Sequence, residues 1–308
     1  MTAYEKPSLN EENVARLLEE LYGMLIEDVS PVGGGNLSSV FFFQKGGNAF
    51  VIRFSDLEGA YARERCVSRL LASQGVPYPK ALEEGRYGSL TYSVSERLPG
   101  GMLADLPDAQ KGSLLPDLVR VVTKMNFADV ARTRGFGWLD ADGNGTYDTW
   151  QQYIADFYKE DQTGTFWENW TDLFRSTCLE KEVFDECYAR LMAFAPYNAP
   201  HRHFVHNDCH AWNMLTDGRS ITGIIDANGL YGDFLIDLSI AETAVPGHDV
   251  IAAFREYHDR QGIAVPDFKE RMLGARYYKG LDAMRFYAKM GWQDAYRHTR
   301  DRLLYLTN

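Results

Sequence analysis

Two aspartates and an asparagine, Asp208, Asp226 and Asn213, stand within a short stretch of alternating apolar and polar segments. The stretch reads His203-Phe204-Val205-His206-Asn207-Asp208-Cys209-His210-Ala211-Trp212-Asn213-Met214-Leu215, then a turn at Asp217-Gly218, then Ile221 to Ile225 and Asp226. Apolar strand formers on both sides of a polar segment, followed by Asp-Gly, predict strand, loop, strand, hairpin turn, strand. The loop then presents Asp208 and Asn213, and the far strand returns Asp226 beside them. Such a set suits phosphoryl transfer from a magnesium nucleotide. One aspartate accepts or orients the acceptor's hydroxyl proton, while the asparagine and the second aspartate hold the metal ions that bridge the phosphates. The Asp-to-Asn spacing is that of the protein-kinase loop H-R-D-L-x-x-x-N. Asp226 stands where those enzymes place the aspartate of Asp-Phe-Gly, although here the run is Asp-Ala-Asn.

A rival reading uses the histidines. His203, His206 and His210 crowd the same stretch, and on a helix His206 and His210 would share a face, as the ligands of a metal-dependent hydrolase do. Strand formers followed by Asn-Asp predict a loop instead, which separates them. A third reading, a nucleotide-binding regulator without activity, requires one of the catalytic residues to be missing, and none is.

The elements that must position this set precede it. Ser8-Leu9-Asn10-Glu11 opens an amphipathic helix with a capping box. Gly33-Gly34-Gly35-Asn36-Leu37-Ser38 lies between strand formers. Its glycines let a hairpin backbone approach a ligand closely, so Gly34, Gly35, Asn36 and Ser38 are candidates for covering the phosphates. Phe50-Val51-Ile52-Arg53-Phe54 alternates as a strand and puts Arg53 where kinases carry the lysine of V-A-I-K; a guanidinium binds phosphate as a planar fork. The pattern from Tyr61 to Ala72 is helical, and Glu64 is the candidate partner of the strand cation; Glu58, before Gly59, competes with it. Strands are expected over about 81–86 and 90–97. Ser95-Glu96-Arg97-Leu98-Pro99-Gly100 then breaks into a hinge, where Glu96 and Leu98 would border a nucleotide base. From 105 to 200 the pattern is helical, with a Gly- and Asp-rich turn at 135–145 whose spacing does not match a calcium loop. Residues 249–262 and 266–306 read as helices. Asp237 opens an apolar helical run that it could cap.

His206-Asn207-Asp208-Cys209-His210-Ala211-Trp212-Asn213, Ile224-Ile225-Asp226 and Gly232-Asp233-Phe234-Leu235-Ile236-Asp237-Leu238 together resemble the signature of the aminoglycoside phosphotransferases. The stretch Gly135-Phe136-Gly137 with Tyr147-Asp148-Thr149-Trp150-Gln151-Gln152-Tyr153-Ile154 is similar to the hygromycin B phosphotransferases among them. The resemblance implies an α+β, protein-kinase-like fold of two lobes, with an N-terminal nucleotide-binding lobe over 1–97 and a catalytic and substrate-binding lobe over 98–308. It implies ATP or GTP with Mg²⁺, and a cationic aminoglycoside-type acceptor. It also implies Asp208 as the catalytic carboxylate, Asn213 and Asp226 at the metals, Arg53 and Glu64 at the phosphates, and structural support from His206 and Asp237. Acidic residues of the helical lobe, with Asp156, Glu160, Asp161 and Glu168 as candidates, would hold the acceptor's amino groups. A kinase of choline, homoserine, a sugar or another antibiotic is the alternative within this fold.

Composition agrees with that class. The chain has 308 residues, 45% of them hydrophobic, which is enough for a large core. With 32 basic against 43 acidic residues its formal net charge is −11, which disfavours nucleic acid and favours polycations. No apolar run reaches bilayer length, the N-terminus lacks a secretion pattern, and the four cysteines are scattered as free thiols are. A cytoplasmic monomer or dimer is expected.

Overall fold

The computed structural model describes residues 6–33, 37–57 and 59–307. Gly34, Gly35, Asn36 and Glu58 lie outside the described residues. Helix α1 (Glu11–Tyr22) buries Val14 and Leu18 and is capped by Asn10, whose side chain accepts from the Asn13 N–H at 2.8 Å. The cap therefore falls two residues after the expected Ser8.

Strands β1 (Glu27–Val32), β2 (Ser39–Lys45), β3 (Asn48–Ser55), β4 (Ala81–Tyr87) and β5 (Leu90–Glu96) form an antiparallel sheet in the order β1-β2-β3-β5-β4. Strand periodicity sorts the faces. Phe41, Phe43, Ile52 and Phe54 are buried with Val14 and Leu18 in a small core. Arg53, between Ile52 and Phe54 and opposite Val40 and Ser93, is thereby turned to the other face. Helix α2 (Glu64–Ala72) lies between β3 and β4 in sequence.

The chain then crosses a coil at 97–100 into the larger lobe. There follow β6 (Gly101–Met102), α3 (Asp108–Lys111), α4 (Leu115–Asn126), β7 (Phe136–Leu139), β8 (Gly145–Tyr147), α5 (Trp150–Phe157), α6 (Leu173–Ser176) and α7 (Lys181–Asn198). The remainder is β9 (His203–Val205), β10 (Met214–Thr216), β11 (Ile221–Ile224), β12 (Leu230–Gly232), α8 (Leu235–Ala241), α9 (Val250–Arg260), α10 (Phe268–Met290) and α11 (Gln293–Tyr305). Two small sheets, β11-β10-β6 and β8-β7-β12-β9, frame the Asp- and Asn-bearing loops. The expected two-lobed, kinase-like α+β fold is what the chain adopts. Within the expected helical stretch, however, β7 and β8 form a hairpin. Its turn is organised by Asp140, whose carboxylate accepts from the Asp142 and Asn144 N–H groups at 2.9 Å each.

Apolar packing divides the chain differently from its order. Val67 and Leu71 of α2, with Val76 and Tyr78 after it, belong to the large core that also holds Phe204, Leu230 and Leu281. Gly229 marks the approach: a Cβ there would stand 2.9 Å from Val67 Cγ2. The Cys66 thiol donates to the Ala141 carbonyl at 3.0 Å, and the Ile224 N–H donates to the Pro77 carbonyl at 2.8 Å. Among the described residues no helix is long and apolar enough to cross a membrane.

Candidate active site

The loop between β9 and β10 and the loop between β11 and β12 are neighbours because β10 pairs with β11 while β9 pairs with β12. Asp208 and Asn213 lie on the first, Asp226 on the second. Asn213 donates from Nδ2 to Asp208 Oδ2 at 3.0 Å and to the Asp208 carbonyl at 2.9 Å. That use of Nδ2 fixes the amide and leaves Oδ1 as its acceptor oxygen. His210 Nε2 stands 3.4 Å from Asp208 Oδ1. Burial raises the Asp208 carboxyl, but the hydrogen bond from His210 and the charges of His210 and Lys279 outweigh it and hold it below the usual carboxylate range. His210 shifts the opposite way: burial lowers it, and Asp208 more than compensates.

The loop is held from beneath. Asp237, fully buried, accepts from the His206 N–H (2.8 Å), the Asn207 N–H (2.8 Å) and Asn126 Nδ2 (2.7 Å). Burial pushes its carboxyl up against these donors. It is the third residue of α8, so it does not cap that helix as expected. The N-cap position is Phe234, and the residue before it, Asp233, accepts from the Leu235 N–H at 3.0 Å. His206 accepts from the Asp208 N–H at Nδ1 (3.2 Å) and donates from Nε2 to the Ile225 carbonyl (2.9 Å), joining the two loops.

Asp226 has φ +61° and a side chain 66% exposed. Its Oδ1 is 3.1 Å from Arg53 Nη1, and the other arm of Arg53 pairs with Glu64. Glu64, at the first position of α2, also accepts from Ser93 Oγ at 2.7 Å. Burial disfavours the Arg53 charge, but the two carboxylates more than restore it. Arg53, Glu64 and Asp226 thus form one ion cluster bridging the lobes.

The other expected residues sit at the margins. Ser38 lies beside Tyr61 ahead of β2. Glu96 ends β5, 3.4 Å from Lys80 Nζ. Leu98 packs over Gly223, where a Cβ would meet its Cδ1 at 2.6 Å. The acidic candidates of the helical lobe make local contacts: Asp156 with Lys159 at 2.7 Å, Asp161 with Thr163, and Glu168 with the Gly164 N–H at 3.0 Å. Lys279 on α10, which donates to the Asn207 carbonyl, and Asp282, 3.5 Å from its ammonium, carry no motif and were missed. Only the face of a helix seventy residues downstream would have named them.

The histidine hydrolase is overturned by the geometry. His206 spends both ring nitrogens within the protein. The His203 ring packs against Phe127 and Phe234, with centroids 5.0 and 5.1 Å away. Among the described residues no three His, Cys, Asp or Glu side chains converge as a metal-binding group. An open polar recess of about 470 Å³ lies between α2 and the β7–β8 turn, and none of the site residues lines it.

A kinase-like two-lobed fold whose loops hold an Asp–Asn pair opposite a cationic strand residue defines a phosphotransferase. The chain belongs to the phosphotransferase enzyme family (APH), which it matches over residues 28–273. It is 31% identical over 231 residues to the hygromycin-B 4-O-kinase of Escherichia coli, a match covering 74% of this chain and 65% of that protein, so it spans just under two thirds of that relative's length. A thermostable mutant of aminoglycoside phosphotransferase APH(4)-Ia, solved in ternary complex with AMP-PNP and hygromycin B, superposes with a TM-score of 0.79 at 26% identity, over 96% of this chain and 97% of that one. Spectinomycin phosphotransferase APH(9)-Ia, solved with ADP and spectinomycin, shares the fold at 12% identity and a TM-score of 0.61, over 97% of this chain and 99% of that one.

Proposed function

We propose that this protein transfers the γ-phosphate of ATP or GTP to a hydroxyl of a hygromycin B-like aminoglycoside. The observation that carries the reading is the facing of two sets. Asp208 and Asn213 lie on one loop, and Asp226 on the neighbouring loop is ion-paired with Arg53 of β3, which Glu64 also holds. Likeness to the hygromycin-B 4-O-kinase supports the acceptor class. The lobe over 1–97 contributes the nucleotide side and the lobe over 98–308 the acceptor side.

The residues fit Mg²⁺. The exposed Asp226 carboxylate and the Asn213 amide oxygen are two hard donors, and magnesium keeps its remaining positions for water and phosphate oxygens. When bound, the ion neutralises phosphate charge. The protein's own groups do the rest. Arg53, aimed by Glu64, turns from Asp226 to the nucleotide phosphates. Ser38, with Gly34, Gly35 and Asn36, covers them, and Glu96 and Leu98 border the base. Asp208 accepts the proton of the acceptor hydroxyl as its oxygen bonds to the γ-phosphorus and the bond to the β-phosphate oxygen breaks, releasing the nucleoside diphosphate. Catalysis is mostly positioning and charge stabilisation. His206 and Asp237 keep the loop in shape.

The test is incubation with Mg²⁺, ATP or GTP and a panel of hygromycin B, other aminoglycosides, choline, homoserine and sugars, read as mass gain of one phosphate. Gain on hygromycin B supports the proposal. Gain only on a non-aminoglycoside replaces the acceptor, and gain on none rejects it.

A further inference from the structure

The residue before Asp208 is gripped from two sides. Asn207 is buried and has φ +64°, a left-handed conformation that asparagine adopts more readily than other non-glycine residues. From α8, Asp237 accepts its N–H. From α10, Lys279 donates to its carbonyl, Nζ to O 2.8 Å. That carbonyl and the Asp208 N–H belong to one planar peptide, and the N–H end is bound to His206 Nδ1 at 3.2 Å. With both ends of the plane tied, the peptide cannot tip, so the Cα of Asp208 and the direction of its N–Cα bond, from which the carboxylate projects, are fixed.

Lys279 is itself anchored. Asp282 Oδ2 lies 3.5 Å from its ammonium, and Asp282 Oδ1 lies 3.3 Å from Arg285 Nη2. Arg285 is fully buried, its guanidinium centre 3.8 Å from the ring centroid of Trp167 and 5.0 Å from those of Phe157 and Trp170. A charge fixed among aromatic faces has little freedom to move. The order of support therefore runs from the aromatic cage through Arg285 and Asp282 to Lys279 and the loop.

We propose that Lys279, held by Asp282, is a positioning residue for phosphoryl transfer that sets the aim of Asp208 through the 207–208 peptide. The proposal rests on the phosphotransfer reading but not on the identity of the acceptor.

Lys279→Met removes the donor and leaves the apolar stem. Misplacing a reacting group by about 1 Å costs on the order of a hundredfold, so kcat should fall by roughly ten- to a hundredfold, with the KM of nucleotide and acceptor within about threefold of wild type. Lys279→Arg, which keeps a donor, should recover much of the loss. Asp282→Asn leaves Lys279 in place but loosens it and should show the same kcat-only signature, smaller. The double variant should lose less than the product of the single losses, because both act through one ammonium. If Lys279→Met fails to give a cooperative unfolding transition, Asp282→Asn carries the test alone. The proposal is overturned if kcat stays within threefold of wild type in the folded variants, if KM rises in step with the loss, or if the single losses multiply. Should hygromycin B gain no phosphate, that acceptor fails. Lys279 is then judged on whichever acceptor the wild type does phosphorylate, or on slow nucleotide hydrolysis with water in that place.

Discussion

The loop that carries Asp208 and the loop that carries Asp226 present the same functional group and treat it differently. Around Asp208 the support is dense. Asp237 takes two backbone N–H groups, Lys279 supplies a donor to the carbonyl between them and the carboxylate, and Asn213 reaches the carboxylate itself. Around Asp226 the backbone is tied, with the Ala227 N–H on Tyr78 Oη at 3.2 Å and the Asn228 N–H on the His206 carbonyl at 3.0 Å, but the side chain is mostly exposed and, among the described residues, pairs only with Arg53. One carboxylate is aimed before anything binds. The other is held only by an ion pair at the surface. On the proposed reading the contrast separates two jobs: a proton acceptor must hold its distance to a hydroxyl, whereas a metal ligand would be drawn into place by a doubly charged ion.

Exchanging each group in turn would break or sharpen this comparison. The largest effect is expected for Asp226→Ala. Turnover should drop by roughly a thousandfold or more, the scale of charge-stabilising groups in phosphoryl transfer, and raised Mg²⁺ should not restore it. Denaturant unfolding should meanwhile shift by no more than about 1 kcal/mol, as for other exposed positions. Turnover near wild type would remove Asp226 from the metal site. Next comes Asp208→Asn, which keeps shape and loses basicity. We expect kcat lower by about a hundred- to ten-thousandfold, with nucleotide affinity by calorimetry unchanged; unchanged kcat would take Asp208 out of the mechanism.

Asp237→Ala should show its effect in stability rather than in ligand binding. It strands buried donors from His206, Asn207 and Asn126, so a loss of about 3 kcal/mol is expected in urea unfolding. A shift as small as that of Asp226→Ala would mean that the two loops are not held differently after all. The smallest effect concerns His203, at the entry to the Asp208 loop. Burial pushes its imidazole down to about 4 from an ordinary 6.5. The unfolded chain therefore takes up this proton first. The contribution is intact above pH 6.5 and is lost as pH falls from 6.5 through 4, by at most about 3 kcal/mol. His203→Phe, which can pack against Phe127 and Phe234, should narrow the gap between melting temperatures at pH 7.5 and 4.5. An unchanged gap would place the acid sensitivity elsewhere.

What the sequence disclosed follows the range of the interactions. The Asp208–Asn213 spacing, the alternation that turns Arg53 away from Ile52 and Phe54, and the return of Asp226 on the next strand are local patterns, and each was legible. Glu64 was readable because kinases place a carboxylate on the helix after that strand. The β7–β8 hairpin was not, because strands of a few residues leave no period and gain their order from β12, far along the chain. Local pattern alone offered Asp237 only as a cap, because a helix start is a local feature; its support of the loop was expected from the resemblance, and its partners lie thirty residues upstream. Lys279 and Asp282 sit on a long helix whose pattern says which residues are apolar and nothing about which polar residue meets the loop.

The lodging of α2 in the larger core bears on how such a protein is controlled. Glu64 rides on a helix whose Val67 and Leu71 are packed with the catalytic lobe, whose Cys66 is hydrogen-bonded to the β7–β8 turn, and which crowds Gly229. Swinging that helix outward to separate Glu64 from Arg53 would open the main core rather than a small flap. The Glu64–Arg53 pair is therefore coupled to the integrity of the main core rather than to a separately movable flap. Amide exchange along α2 as slow as that of β9 would bear this out, and early exchange of α2 alone would contradict it.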